Sequence, residues 1–290
     1  MTSVSGLVAY FLPPHCPGQC LTLGNSLDDL RRRRSSEMSA PYGSISPMTA
    51  SAADYAWFRD YRRGWLCEGY CLTLIKDLTP AEFLSRLDAD IQGDFHGMDA
   101  FADRDREFQD SQDLYGDYMF VGAAPVLGPD GPWTLAVEIN GTVGTDDGFM
   151  AAASAGTRIV SHYRNVNALT LFHWWEDGDL RTVFEWPRNR SGSTPDALLP
   201  TMSRIGYDLG ADEGSDLGIP GMFALTEELT GIRITADLLD DAVYTAGIVT
   251  MPDPEWNHIT IDITDVNGER TYIQVTKQEV ERAMEQHKRP

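Results

Sequence analysis

Seven side chains in the middle of the chain carry groups from which a site could be built. The stretch RIVSHYRNVN, residues 158–167, sets two guanidinium groups, Arg158 and Arg164, on either side of the imidazole of His162. The amides of Asn165 and Asn167 follow at once, Glu138 lies twenty residues upstream of Arg158, and Trp174 lies downstream. An imidazole titrates near neutrality and can give or take a proton. Guanidinium groups hold anions through paired hydrogen bonds. This set would serve a small-ligand enzyme or sensor: His162 as acid and base, Arg158 or Arg164 as anion clamp, Glu138 as the carboxylate that orients the ring. That chemistry requires the side chains to converge in one pocket.

The same residues have an architectural reading. In a strand, Arg158, Val160, His162 and Arg164 share one face, and Ile159, Ser161 and Tyr163 share the other. Asn tolerates left-handed backbone and bonds its own chain, so Asn165-Val166-Asn167 suits a link between two strands. Each arginine would then pair with a carboxylate across the sheet, Glu138 or Glu185. Trp174 and Trp175 are consecutive and must point to opposite faces, one into a core and the other onto a ligand or a helix.

Other chemistries find little support. The chain has no G-x-S-x-G, no G-x-x-x-x-G-K-[ST], no H-E-x-x-H, and no G-x-G-x-x-G after a strand pattern. A metal site using His162 and His173 would need Glu138 or Glu176 as a third ligand. Cys16, Cys20, Cys67 and Cys71 form two C-x3-C pairs with no further Cys or His cluster behind them. Cys71 opens an apolar run and reads as a small core residue. Asp99, Asp103 and Asp105 suggest a calcium loop, but Arg104 and Asp110 stand where that loop needs Gly and Glu. The expectation is therefore no metal and no cofactor.

The elements that would position these groups follow from local signals. CLTLIK (71–76) reads as a strand, and Thr79-Pro80-Ala81-Glu82 is a capping box with Pro at the first helical position. YMFVGAAPVL, the turn GPDG and WTLAVEI make a hairpin, because Trp133, Leu135, Val137 and Ile139 alternate with polar or small residues. A short helix runs from Asp146 to Ala155 and closes at Gly156. Strands over 158–164, 168–175 and 180–186 then form an antiparallel meander. Thr194 starts a helix that ends at Gly206; Met222, Leu225 and Leu229 mark another that ends near Gly231; Thr235 caps a third. Residues 88–117 hold ten acids against Arg104 and Arg106, and read as a solvated acidic loop or a frayed helix. At the C-terminus a hairpin turning at Asn267-Gly268 leads to a helix opened by Thr276 and Glu279. The fold class is α+β: an antiparallel meander sheet with helices packed mainly on one face, plus a small C-terminal hairpin-helix unit.

Composition bounds the function. Of 290 residues, 44 are acidic and 23 are Lys or Arg, a net charge of −21. Residues 1–50 hold three acids and four arginines, so residues 51–290 carry 44−3=41 acids against 23−4=19 bases, a net of −22. Such a surface repels nucleic-acid phosphate and anionic membrane and attracts a basic protein. No apolar run nears the ~20 residues of a membrane span. The run 6–12 is short, has no basic residue before it and fails as a secretory signal, so a cytoplasmic setting with reduced thiols is expected. Residues 1–50, with HCPGQC, RRRRSSE and SAPYGSISP, read as a disordered extension, with Met38 or Met48 as alternative starts. The main domain is read as 52–250 and the appendage as 251–290. The first functional expectation is a non-enzymatic acidic module, immunity-like or regulatory; the second is the small-ligand enzyme or sensor described above.

Several strings together resemble an uncharacterised actinobacterial domain family. They include Tyr70-Cys71-Leu72-Thr73, Leu78-Thr79-Pro80, Trp133-Thr134-Leu135-Ala136-Val137-Glu138, Gly156-Thr157-Arg158, Tyr163-Arg164-Asn165-Val166-Asn167-Ala168, Asp177-Gly178 and Pro195-Asp196. The resemblance covers Asp54 to Ile248. It implies an intracellular bacterial protein and brings no activity or catalytic residue with it.

Overall fold

The computed structural model describes residues 50–64, 68–112, 116–209, 217–252, 258–264, 270–280 and 282. The expected N-terminal extension and the Asn267-Gly268 turn lie outside the described residues, as do Cys16, Cys20 and Cys67. The chain divides into two compact units, and the larger spans Ser46–Asp253.

That unit is α+β. Its eight strands are β1 (Tyr70–Lys76), β2 (Asp90–His96), β3 (Tyr118–Gly128), β4 (Gly131–Ile139), β5 (Arg158–Arg164), β6 (Thr170–Glu176), β7 (Asp179–Phe184) and β8 (Val243–Thr250). They form one sheet in the order β2-β8-β3-β4-β1-β5-β6-β7. Every neighbouring pair is antiparallel. The helices are α1 (Pro80–Arg86), α2 (Gly97–Asp110), α3 (Asp147–Ala153), α4 (Leu199–Ile205), α5 (Gly218–Thr230) and α6 (Ala236–Asp241), with short 3-10 turns at Ala52–Arg59 and Val143–Thr145.

Local chemistry sets most of these boundaries. At α1, Glu82 N donates to Thr79 Oγ1 at 3.2 Å, and Thr79 N donates to Glu82 Oε2 at 2.8 Å, which satisfies two helix-end donors reciprocally. α4 and α5 stop at Gly206 (φ 107°) and Gly231 (φ 69°), where the left-handed backbone suits a residue without Cβ.

Tyr70, Leu72, Leu74, Leu135, Val137, Val160 and Phe172 line one sheet face, buried under α2, α4, α5, α6 and the 52–59 turn. Phe223 of α5 anchors this layer, with ring centroids 5.1 Å from Tyr55 and 4.7 Å from Phe58. Ile75, Val121, Ala136, Ile159 and Trp175 line the other face, under α1, α3 and the 143–145 turn. The greater part of the helical mass thus sits on one side.

Three expectations change. The strands from Tyr118 to Phe184 share one sheet, but β1 separates the β3–β4 hairpin from the β5–β6–β7 meander, because its first six residues are buried on both faces and need a partner on each edge. Residues 90–110 are not a loop or frayed helix: they are β2 and α2, since Met98, Phe101, Ala102 and Phe108 repeat at helical spacing beneath the acids. Thr194 does not cap a helix. Its Oγ1 bonds Arg181, and α4 begins at Leu199.

In the other unit, β9 (His258–Thr264) and β10 (Arg270–Thr276) form a hairpin. Thr276 N donates to Glu279 Oε2 at 2.8 Å, and the chain is helical over 277–280.

Candidate functional site

His162 and Glu138 lie on opposite faces of the sheet. His162 stands opposite Leu72 of β1 and Phe172 of β6, on the face covered by α5. Glu138 stands opposite Cys71, which stands opposite Tyr163, on the other face. Residues directly opposite in a ladder share a face and successive residues alternate. The carboxylate therefore cannot orient the imidazole. The arrangement of one pocket holding His162, Glu138 and an arginine is overturned, because the intervening β1 sets the two in opposite phase.

Each group instead closes its own packed cluster. The His162 ring is fully buried, 4.5 Å from the Phe223 ring and 5.4 Å from the Tyr70 ring. Its Nδ1 lies 3.0 Å from Tyr70 Oη, and its Nε2 is buried with no hydrogen-bond partner among the described residues. Burial lowers its pKa to about 3, because the charged form would lose its hydration. His162 is thus neutral near pH 7 and poorly suited to proton transfer there.

Glu138 accepts from Val143 N at 2.8 Å and from Gly144 N at 2.9 Å, holding the 143–145 turn against the sheet. Burial raises its pKa to about 7, against the pull of those two N–H groups. Burial, and the neighbouring Glu138, push the Cys71 thiol well above its ordinary range, which makes it a poor nucleophile. Ser161 Oγ donates to Gly144 O at 2.5 Å. A Cβ on Gly144 would overlap Thr73 Oγ1 and Cys71 Sγ. The cluster is filled by its own atoms.

Arg158 and Asn165 also have structural partners. Arg158 Nε donates to Glu176 Oε1 at 2.7 Å and Nη1 to Leu229 O at 3.2 Å. For Arg158 the cross-strand carboxylate is Glu176. Arg164 ends β5, opposite Tyr70 and Thr170. Buried Asn165 accepts from Asn167 N and Leu169 N, both at 3.0 Å, through its Oδ1. Ala168 takes the left-handed conformation (φ 64°), a role the sequence suggested for the asparagines. Asn167 is exposed on this corner. Trp174 is buried on the His162 face with the Arg181 guanidinium 5.7 Å from its ring, and Trp175 is buried on the opposite face.

Two surface concavities lie elsewhere. One, of about 370 Å³, is lined mainly by Leu78, Pro80, Pro125, Leu127 and Pro132. The other, of about 320 Å³, is lined by Lys76, Gly156, Thr157, Arg158, Glu176 and Asp177. Its two cations are already paired, Lys76 with Asp130 and Arg158 with Glu176. Among the described residues, no three His, Cys, Asp or Glu side chains gather as a metal site would require, and no helix is long and apolar enough to cross a membrane.

The model of a family of unknown function, DUF6461, matches residues 48–254. The chain belongs to this family. The match takes in all of β1–β8 and α1–α6 and leaves the β9–β10 hairpin outside. No curated protein and no solved structure matches the chain.

Within the DUF6461 region, the acidic run that the sequence suggested was a loop or frayed helix is an ordered surface formed by β2 and α2. Asp90, Asp94, Asp99, Asp103, Glu107 and Asp110 are exposed along it, and Asp88 is exposed in the turn before β2. Arg104 and Arg106 are occupied by Glu107 and Asp103 on the same helix, and Arg62 bridges Asp99 and Asp240. No cation pairs with Asp88, Asp90, Asp94 or Asp110 among the described residues. The run of ten acids was the available signal; what hid its meaning was the apolar stripe that orders it.

Proposed function

We propose that this protein is an acidic interaction module, immunity-like or regulatory, that engages a basic protein partner through the surface of β2 and α2. The observation that carries this reading is the concentration of six exposed acids on one ordered strand-helix segment, residues 90–110. Ordered charge of one sign steers an oppositely charged partner and speeds association in a salt-dependent way. The net charge of −22 over residues 51–290 extends the same field beyond the segment and disfavours nucleic acid and anionic lipid as partners. A cytoplasmic setting, with the buried Cys71 thiol reduced, belongs to the same proposal.

Binding is favoured over catalysis because the side chains best suited to chemistry are closed into the core. His162 and Glu138 face opposite ways, and the Glu138 cluster has no space for a substrate.

The test is affinity capture from the native host at low and high salt. The chain is compared with a variant carrying Asp90→Asn, Asp94→Asn, Asp103→Asn, Glu107→Gln and Asp110→Asn. All five positions are exposed, so the variant should fold. A basic partner retained by the natural chain at low salt, and lost both at high salt and from the variant, is the expected result. Capture indifferent to salt and to the five changes would refute the reading.

A further inference from the structure

The two ends of the sheet are finished differently. β7 is closed along its outer edge by residues 191–194. Val183 N donates to Ser191 O at 2.9 Å and Ser191 N to Val183 O at 2.8 Å, while Ser193 N and Thr194 N donate to Leu180 O and Arg181 O, each at 2.9 Å. β2 has no such cover among the described residues. Its backbone is laddered to β8 on one side only. The one further bond to a backbone group of Asp90–His96 among the described residues comes from the strand itself, Gln92 Nε2 to Asp90 O at 3.2 Å. Five of its seven residues are exposed, and Ile91 is 51% exposed. A strand with open N–H and C=O groups is a template for another strand.

We propose that β2 receives an extended basic segment of the partner as a ninth strand. This deepens the acidic-module reading and rests on it. The side chains along β2 specify the occupant. A bulge between Ile91 and Gly93 shifts the register, so Asp90 lies opposite Ile248 while Asp94 lies opposite Thr245. Ile248 and Thr245 are three apart in β8 and point to opposite faces, so the two aspartates do as well. An incoming strand meets a carboxylate on each face of the sheet, with Ile91 on the Asp94 side. Cations three residues apart, with small or apolar residues between them, would answer that pattern.

The same side chains disfavour a second copy of this chain. In an antiparallel self-pairing centred on Gln92, Asp90 would face Asp94 at both ends, and in a parallel in-register pairing each acid would face its own copy. Like charges directly opposite are destabilising. The edge thus combines self-rejection with acceptance of a basic strand.

The experiment titrates the full chain, at low salt, into three labelled probes read by fluorescence anisotropy. The first is the peptide Lys-Thr-Val-Lys-Thr-Val-Lys; the second has both Thr replaced by Pro, with the charge unchanged; the third is polylysine. Pro removes the N–H that a ladder needs. The first peptide should bind at least about tenfold more tightly than the second, the effect of losing one or two backbone hydrogen bonds. It should also slow hydrogen exchange of the β2 amides, and Asp90→Lys with Asp94→Lys should abolish its binding while leaving the thermal midpoint near that of the natural chain. Equal binding of the two peptides, or polylysine binding with neither peptide bound, would overturn strand addition and leave the acidic-module reading standing. Failure of even polylysine to bind would overturn both.

Discussion

Asp105 offers a quantitative test of how α2 is built. Its carboxyl lies on the buried side of the helix, 4% exposed, in the stripe with Phe101 and Phe108. Burial raises its pKa from 3.8 to about 7, against the smaller pull of a 3.4 Å bond from Gln109 and the charge of Arg106. In the unfolded chain the same group ionises near 3.8. Between these values the folded protein holds a proton that the unfolded chain has released. Stability from this group is therefore fully present below pH 3.8, falls as pH rises toward 7, and is flat above it. A tenfold change in proton affinity is about 1.4 kcal/mol, so the whole displacement corresponds to roughly 4 kcal/mol. Asn matches the neutral acid in shape, can accept from Gln109, and cannot ionise. Asp105→Asn should be more stable than the natural chain by roughly 2 kcal/mol at about pH 5.5 and by roughly 4 kcal/mol at about pH 8. Urea unfolding of both proteins across this range, followed by Trp fluorescence, gives the difference directly. Glu138 titrates in both proteins, and because the Asp105 charge contributes to raising its pKa, removing that charge moves the difference in the same direction. A variant no more stable than the natural chain at about pH 8, or a difference that shrinks as pH rises, would refute the argument.

Three further outcomes follow from the packing. Phe223→Ala removes the ring shared by Tyr55, Phe58 and His162, and should cost about 3–5 kcal/mol in chemical denaturation. Gly144→Ala drives a methyl group into Thr73 and Cys71 and should cost about 1–3 kcal/mol, measured in the same way. His162, with its pKa lowered to about 3 by burial, should show no NMR titration between about pH 5 and 8 in the folded chain, where an unperturbed imidazole would titrate. By linkage, the stability tied to its neutral ring is present above pH 6.5 and is lost as pH falls toward 3.

What could be read from the sequence was whatever local chemistry decides. The Thr79–Glu82 box and the glycine stops at 206 and 231 act within a few residues and appear in the structure; the alternation from Trp133 to Ile139 marked β4, but the face it suggested was open is buried too, with Thr134, Ala136 and Glu138 covered. The phase of Glu138 against His162 is different in kind. It depends on β1, more than sixty residues before Glu138, entering between β4 and β5. A one-residue change of register would have put both groups on one face, and nothing near either residue announces which register holds. α2 failed to stand out for another reason: its core stripe includes Asp105, an acid in a position that the apolar pattern needs filled. The corner at Asn165–Asn167 was legible as a turn, but the left-handed position fell one residue later, at Ala168.

The division of polar groups between interior and surface points the same way as the sheet edges. Glu138, Ser161 and Asn165 each spend their hydrogen bonds on backbone of a turn that would otherwise lack a partner: Val143 and Gly144 for Glu138, Gly144 O for Ser161, Asn167 and Leu169 for Asn165. A buried carboxylate left without such donors would be costly, so these groups are retained by the fold they complete. On β2 the acids complete nothing of that kind. Asp94 bonds only the Thr245 hydroxyl, and Asp90 is answered within its own strand by Gln92. Removing them should leave the fold intact, whereas removing Glu138 should not. Their position beside the open edge is what self-rejection and a cationic strand both require. The buried polar residues thus account for the architecture, and the exposed acids of β2 and α2 are where binding should be sought.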